Sequence, residues 1–74
     1  MQNELVKFVK DRRKLLALTQ EELAEKAGVG LRFIRDLEQG KESLRMDKVN
    51  HVLALFGHEL IPAETKRLSD EQEG

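Results

Sequence analysis

Residues 18–28 read LTQEELAEKAG and contain the clearest local structural signal in the sequence. Thr19 followed three residues later by Glu22 is a capping box, so the pattern predicts a helix that starts at Gln20. Gly28 can take a positive φ, and we expect it to end this helix. The stretch therefore predicts a short helix with sharply defined ends.

Residues 29–41 read VGLRFIRDLEQGK and predict a second short helix directly after the first. Gly30 can serve as its N-cap, and Ile34 with Leu37 marks one buried side. The helix should end near residues 39–40. Its opposite, exposed side carries the residues that require a functional explanation, which are Leu31, Arg32, Arg35 and Asp36.

Two further helices flank this pair. Apolar residues recur at helical spacing across residues 5–18, which predicts an N-terminal helix. The same spacing from Met46 to Phe56 predicts a fourth helix that ends at Gly57. We therefore expect an all-α domain of four to five helices over residues 1–57.

A short segment at residues 58–62 follows the helices. It is too short for a helix, and Pro62 fits the end of an edge strand better than a continuing one. Because one strand alone has no partner, we expect the segment to pair with its own copy in a second subunit, as an antiparallel ribbon across a twofold axis. The residues expected to form this dimer strand are Glu59, Leu60 and Ile61.

The chain has 74 residues, no cysteine and a net charge of −1. A chain of this length holds one small domain of marginal stability, which dimerisation would reinforce. Residues 1–61 contain 11 Lys and Arg against 10 Asp and Glu, whereas residues 62–74 contain two against four. We therefore expect residues 63–74 to form a flexible acidic tail, and any DNA binding to rest on locally placed cations rather than on a broad positive field.

The composition offers no support for enzyme chemistry. The absence of cysteine excludes disulfides and thiolate metal sites, and His51 and His58 stand seven residues apart without a nucleophile elbow or a Gly-rich phosphate loop. We expect no catalytic site, no metal and no cofactor. Since no stretch approaches the roughly 20 apolar residues that span a bilayer, we also expect a cytoplasmic protein without a membrane partner.

Two short helices joined by a tight glycine-containing turn form the arrangement that presents a second helix to the major groove of DNA. The block from Thr19 to Glu38 looks like the helix-turn-helix of the Cro/repressor, or Xre, family, and the resemblance runs through about 50 of the 74 residues. It implies a lambda-repressor-like fold in a bacterial protein that lies at the nucleoid when it is bound to double-stranded DNA.

The same resemblance also implies roles for particular residues. It implies a Gln20 contact with the DNA backbone, and an ion pair between Arg13 and Glu38 that orients the second helix. By position, the residues facing the groove are Leu31, Arg32, Arg35 and Asp36.

The chemistry of that exposed side suits base recognition. Arginine donates two parallel hydrogen bonds to the guanine edge, which discriminates bases by roughly 1 to 3 kcal/mol, and Arg32 is the leading candidate. Leu31 can contact a thymine methyl, while Asp36 can accept from cytosine N4 or hold an arginine in position. The helix N-terminus at Gly30 and the cation of Lys41 suit phosphate. The alternatives are solvated surface charges for the arginines, a protein contact for Leu31, and, for Asp36, repulsion of phosphate or a salt bridge to Arg32 or Arg35.

The sequence departs from the family pattern at two positions of the second helix. Gly30 stands where serine or threonine is common, and Phe33 stands where a small polar residue is common. A phosphate contact at Gly30 is therefore implied less firmly than the other contacts. We expect Phe33 to cover the core rather than to stack on a base.

Residues 43–60, SLRMDKVNHVLALFGHEL, are similar to antitoxins of the HipB type. That resemblance implies a homodimer with paired strands, an autorepressor that binds an inverted-repeat operator, and a toxin partner encoded beside it. Half-site centres should then lie about 34 Å apart, one turn of DNA, or a multiple of it. The tail is either an ordinary terminus or a segment that folds on the toxin. Two alternative functions stay open, which are a stand-alone Xre-type regulator without a toxin and a protein-interaction module that keeps the helix-turn-helix as a scaffold.

Overall fold

The computed structural model describes residues 3–63, and every regular element in that range is a helix. The four helices are α1 (Glu4–Leu15), α2 (Gln20–Ala27), α3 (Leu31–Glu38) and α4 (Met46–Leu55). This confirms the expected all-helical class. None of these helices is long and apolar enough to cross a membrane. The acidic tail expected over residues 63–74 lies outside the described residues, apart from Ala63.

Helix α2 begins and ends where the sequence predicts. The backbone N–H of Glu22 donates to Thr19 Oγ1 at 3.0 Å, and the backbone N–H of Thr19 donates to Glu22 Oε1 at 2.8 Å. Both bonds of the capping box are therefore present. At the other end, Gly28 takes a φ of 73°, in the left-handed region that glycine enters without steric cost. These two local signals fix the length of α2.

Helix α1 is shorter than predicted, because it ends at Leu15 and does not continue to Leu18. Ala17 turns the chain with a φ of 56°, and its N–H donates to the carbonyl of Lys14 at 3.0 Å. The N–H of Leu18 donates to the carbonyl of Arg13 at 3.0 Å. This pair of bonds is a Schellman motif, which ends a helix through one left-handed residue. The apolar spacing was misleading here because Leu18 packs against the core from outside the helix.

The same pair of bonds closes the other three helices, with glycine at the left-handed position. At the end of α3, the N–H of Gly40 donates to the carbonyl of Leu37 at 3.1 Å, and the N–H of Lys41 donates to the carbonyl of Asp36 at 3.0 Å. The chain therefore folds back at Gly40 and returns Lys41 to the last turn of α3. The left-handed glycines of the three motifs are Gly28, Gly40 and Gly57.

The core lies between the inner sides of the four helices. Helix α2 packs against α3 and α4, and α1 packs against α3. Phe33 is partly buried against this core, as the sequence predicts. Because the inner side of α3 is held in this way, its outer side is left for solvent or a partner. The buried residues that form one connected cluster are Val9, Leu23, Ala24, Ile34, Leu37, Val49, Val52 and Leu53, and Val6 of α1 is buried as well.

Residues 58–63 follow α4 and take neither helix nor strand. The backbone N–H of Leu60 donates to Asn50 Oδ1 at 2.8 Å, and the Leu60 side chain is partly buried against the core. Glu59 and Ile61 on either side of it are exposed. The expected strand is thus absent from this single chain, in which no second strand lies among residues 3–63 to pair with it.

Candidate nucleic-acid interface

The outer side of α3 and the residues that flank it carry most of the predicted site. Arg32 is the most open of them, with 88% of its side chain exposed, and Arg35 is exposed as well. Leu31 and Asp36 are half-buried, so their side chains are held more closely by the surrounding surface. We call this surface the recognition face, and it comprises Gly30, Leu31, Arg32, Arg35, Asp36 and Lys41.

A shallow cleft separates the recognition face from the start of α2. Leu31 and Arg35 line it on the α3 side, and Thr19, Gln20 and Glu21 line it on the α2 side. Its volume is about 290 Å³. The two predicted contact elements, the first turn of α2 and the outer side of α3, therefore lie side by side with this cleft between them.

The two helix N-termini at this surface differ in their electrostatics. The N-cap of α3, Gly30, has no side chain to bond the first N–H groups of the helix, so these groups keep the partial positive charge that attracts anions. Helix α2 has a complete capping box, and Glu21 and Glu22 place two carboxylates in its first turn. These carboxylates oppose a phosphate there. The N-terminus of α3 is therefore the better anion site of the two.

Asp36 stands between two cations of the recognition face. Its Oδ1 lies 3.5 Å from Arg32 Nε, and its Oδ2 lies 3.6 Å from Lys41 Nζ. Both distances are those of ion pairs rather than of short hydrogen bonds. The salt bridge between Arg32 and Asp36 is one of the alternatives that the sequence left open. The Lys41 contact was not predicted, because it depends on the chain reversal at Gly40.

A buried ion pair fixes α3 from behind. The Glu38 side chain is only 3% exposed and accepts from Arg13 Nε at 2.7 Å and from Arg13 Nη2 at 3.0 Å. Arg13 Nη1 also donates to the carbonyl of Leu18 at 3.0 Å. This paired hydrogen bonding raises the pKa of Arg13 above its usual range, although burial acts against it. The structure thus brings together the two residues that the family resemblance pairs, across the end of α1 and the end of α3.

Gln20 belongs to the same network. Its Nε2 donates to Glu38 Oε1 at 3.1 Å, so the start of α2 is tied to the end of α3. The family resemblance implies only a DNA-backbone contact for Gln20, and this bond within the protein was not predicted. Nothing local in the sequence signals it, because Gln20 and Glu38 are 18 residues apart.

The histidines do not form a metal site in the part of the chain that the structure describes. No group of three or more His, Asp or Glu side chains among residues 3–63 is placed to hold a metal ion. His58 packs its ring 4.6 Å from the ring of Phe8, and its Nδ1 lies 2.8 Å from the carbonyl of Phe56. His51 lies on the exposed side of α4.

Comparison with known proteins agrees with this arrangement. Residues 9–57 match the family model described as helix-turn-helix, and the chain belongs to this Xre-like helix-turn-helix family. The chain is also similar to an uncharacterised HTH-type transcriptional regulator, y4mF, of Sinorhizobium fredii, with 56% identity over 45 residues. That match covers 61% of this chain and 59% of the relative, so the chain spans about three fifths of the length of the protein it resembles.

Proposed function

We propose that this chain is a sequence-specific DNA-binding transcriptional repressor that inserts α3 into the major groove. The observation that carries the proposal is the recognition face itself, two exposed arginines on a helix that the buried Glu38 network holds in place. Membership of the helix-turn-helix family and similarity to a protein named as a transcriptional regulator support the same function.

Every residue of the recognition face except Asp36 contacts DNA directly in this proposal. Arg32 donates to the O6 and N7 edge of a guanine, and Arg35 contacts a neighbouring base or phosphate. Leu31 packs against a thymine methyl at the mouth of the cleft. The open N-terminus of α3 at Gly30 and the ammonium of Lys41 hold phosphates and set the register.

The repressor works as a homodimer in this proposal. Residues 58–62 of two copies pair as antiparallel strands across a twofold axis, which presents two copies of α3 to successive major grooves. The support is local. Leu60 anchors the segment to the core and to Asn50, while Glu59 and Ile61 remain exposed beside it.

Selection from a pool of randomised duplexes tests the DNA-binding proposal and identifies the operator at the same time. We expect an inverted repeat whose half-site centres lie about 34 Å apart, or a multiple of that distance. The Arg32→Ala variant should select a motif in which each half-site no longer requires one of the guanines that the wild-type protein selects. Recovery of no enriched sequence by the wild-type protein would contradict sequence-specific binding and favour the protein-interaction alternative.

We also propose that the repressor is the antitoxin of a HipB-type operon, bound by a toxin encoded beside it. The similarity of residues 43–60 to such antitoxins supports this role. A second observation is the exposure of Leu15 and Leu16, which are 74% and 54% exposed, because adjacent uncovered leucines favour a protein partner. The tail that could fold on the toxin lies, beyond Ala63, outside the described residues.

Co-expression tests the antitoxin role separately from DNA binding. The product of the adjacent gene should inhibit growth when it is expressed alone, and it should co-purify with this chain in a defined ratio. If the product of the adjacent gene is harmless and does not co-purify, the antitoxin role is wrong and the chain is a stand-alone regulator. The selection of DNA duplexes does not depend on this result.

A further inference from the structure

We propose that Asp36 is a positioning residue of the recognition face, which restrains Arg32 and Lys41 and thereby weakens binding to DNA of the wrong sequence. The inference rests on the proposed DNA-binding function and adds a determinant of specificity to it. In this role Asp36 contacts no base. It acts on the two cations that do contact DNA.

The geometry divides the Asp36 carboxylate between two partners. One oxygen faces Arg32 Nε at 3.5 Å and the other faces Lys41 Nζ at 3.6 Å. The Asp36 side chain is 24% exposed, whereas those of Arg32 and Lys41 are 88% and 55% exposed. The anion is thus the fixed member of the group, and the two longer cationic side chains are arranged around it.

The backbone determines both contacts. Arg32 lies four residues before Asp36 on the same helix, which places the two side chains one turn apart. Lys41 reaches the carboxylate because Gly40 turns the chain with a φ of 83° and the N–H of Lys41 binds the carbonyl of Asp36. The position of Lys41 therefore follows from the end of α3 rather than from a chance approach of two surface side chains.

The contact atoms leave Arg32 able to recognise a base. Asp36 approaches the guanidinium at Nε, so the two terminal nitrogens keep their N–H groups for the paired acceptors of guanine. A carboxylate beside the phosphate-binding Lys41 also lowers its attraction for any DNA backbone. Asp36 thus weakens the sequence-independent attraction to phosphates and leaves the hydrogen bonds from Arg32 to a guanine intact.

Replacement of Asp36 tests this role. Asp36→Asn and Asp36→Ala should each bind a random duplex about three- to tenfold more tightly, with a salt dependence steeper by about one unit, because each added phosphate contact contributes about 0.9. The ratio of operator to random affinity should fall. The alanine variant is required because asparagine can itself bind adenine.

Asp11→Asn is the matched control. Asp11 pairs with Lys7 at the same spacing of four residues, with Nζ and Oδ2 2.7 Å apart, but it lies on α1 outside the recognition face. Asp11→Asn changes the net charge of the protein by the same amount as Asp36→Asn. This control should keep the wild-type ratio of operator to random affinity.

A measurement without DNA checks the contact itself. The Nε–H resonance of Arg32 should move in Asp36→Asn and stay in place in Asp11→Asn. An unmoved resonance, or an unchanged ratio of operator to random affinity in both Asp36 variants, would overturn this inference. The proposed function would still hold in that case, provided that the wild-type protein distinguishes operator from random DNA. A wild-type protein that discriminates no duplex would instead overturn the proposed function, and this inference with it.

Discussion

Ala17 is the residue at which local structure departs most clearly from what its side chain favours. It takes the left-handed conformation at the end of α1, with a φ of 56°, in a position that glycine fills at the ends of the other three helices. A residue with a Cβ has a steric cost there that glycine does not. The cost is compensated by the two Schellman bonds that set the turn between α1 and α2.

Ala17→Gly should therefore stabilise the protein. We expect a gain of about 0.5 to 1 kcal/mol, after allowance for the greater freedom of glycine in the unfolded chain. Thermal unfolding should then occur roughly 2 to 8 °C higher. Ala54→Gly is the matched control, since Ala54 is exposed in the last turn of α4 in an ordinary helical conformation, and its replacement should lower the stability rather than raise it. A lower unfolding temperature for Ala17→Gly would contradict the strain assigned to this position.

Glu22 makes part of the stability depend on pH. The hydrogen bond from the Thr19 N–H lowers the pKa of the Glu22 carboxyl below its ordinary value of 4.5. A carboxyl with a lower pKa in the folded state stabilises the fold above its unfolded pKa, and the contribution is lost as the pH falls through the folded value.

The difference in unfolding temperature between wild type and Glu22→Gln should be constant above the ordinary carboxyl pKa and shrink as the solution is acidified below it. Glu25→Gln makes the same charge change in the last turn of α2 and removes no capping bond. The difference in unfolding temperature between wild type and Glu25→Gln should therefore not shrink in this way on acidification. A wild-type advantage over Glu22→Gln that persists into strong acid would show that the charged capping bond contributes nothing.

At the scale of the elements, local sequence predicts where three of the four helices end. It does not predict how the helices pack against one another. The capping box at Thr19 and the glycines after α2, α3 and α4 place those ends correctly, because each signal acts within a few residues. The predicted end of α1 was wrong, since an alanine carries no such signal. The Gln20 contact with Glu38 depends on how three helices pack, which no periodicity in this sequence encodes.

The Glu38 network should set the orientation of α3. Glu38→Ala removes the acceptor for Arg13 and Gln20 and leaves the Arg13 guanidinium, only 15% exposed, with the Leu18 carbonyl. Breaking one side of such a pair costs about 3 kcal/mol. We expect a large fall in unfolding temperature and weaker operator binding, measured by thermal denaturation and by titration of the selected duplex.

The double variant Arg13→Leu, Glu38→Leu separates burial of an unpaired charge from loss of the pair. Replacing both partners with apolar residues removes the uncompensated charge, so the double variant should be more stable than Glu38→Ala. Its operator affinity should remain below that of wild type, because the bonds from Arg13 and Gln20 no longer orient the end of α3. An unfolding temperature of Glu38→Ala equal to that of wild type would contradict the network.

At the scale of the whole molecule, the proposed dimer depends on residues 58–62. Ile61 is 74% exposed, so Ile61→Asp should leave the fold intact while placing two like charges near the twofold axis. We expect light scattering to show a monomer for Ile61→Asp and for a form that ends at Gly57, and a dimer for wild type. A dimer that persists in both variants would place the interface elsewhere.

Charge over the whole molecule also limits how it can bind DNA. The net charge is −1, so no broad positive field attracts the polyanion, and in the proposed function the affinity comes from the cations of the recognition face. The sequence predicted that the arginines of this face are exposed on one side of a helix, and the structure places them there. The sequence left the ion pair of Arg32 with Asp36 open as an alternative, but it did not reveal the contact of Lys41 with Asp36, which requires the reversal at Gly40.

Base recognition by α3 is tested most directly by the fluorescence anisotropy of the selected operator duplex and a scrambled duplex at one salt concentration, with wild type and Arg32→Ala. We expect wild type to bind only the operator tightly. The operator affinity of Arg32→Ala should fall toward the scrambled level, by about 1 to 3 kcal/mol for each guanine that the arginine no longer binds. Equal binding of the two proteins to the operator would contradict base recognition by α3.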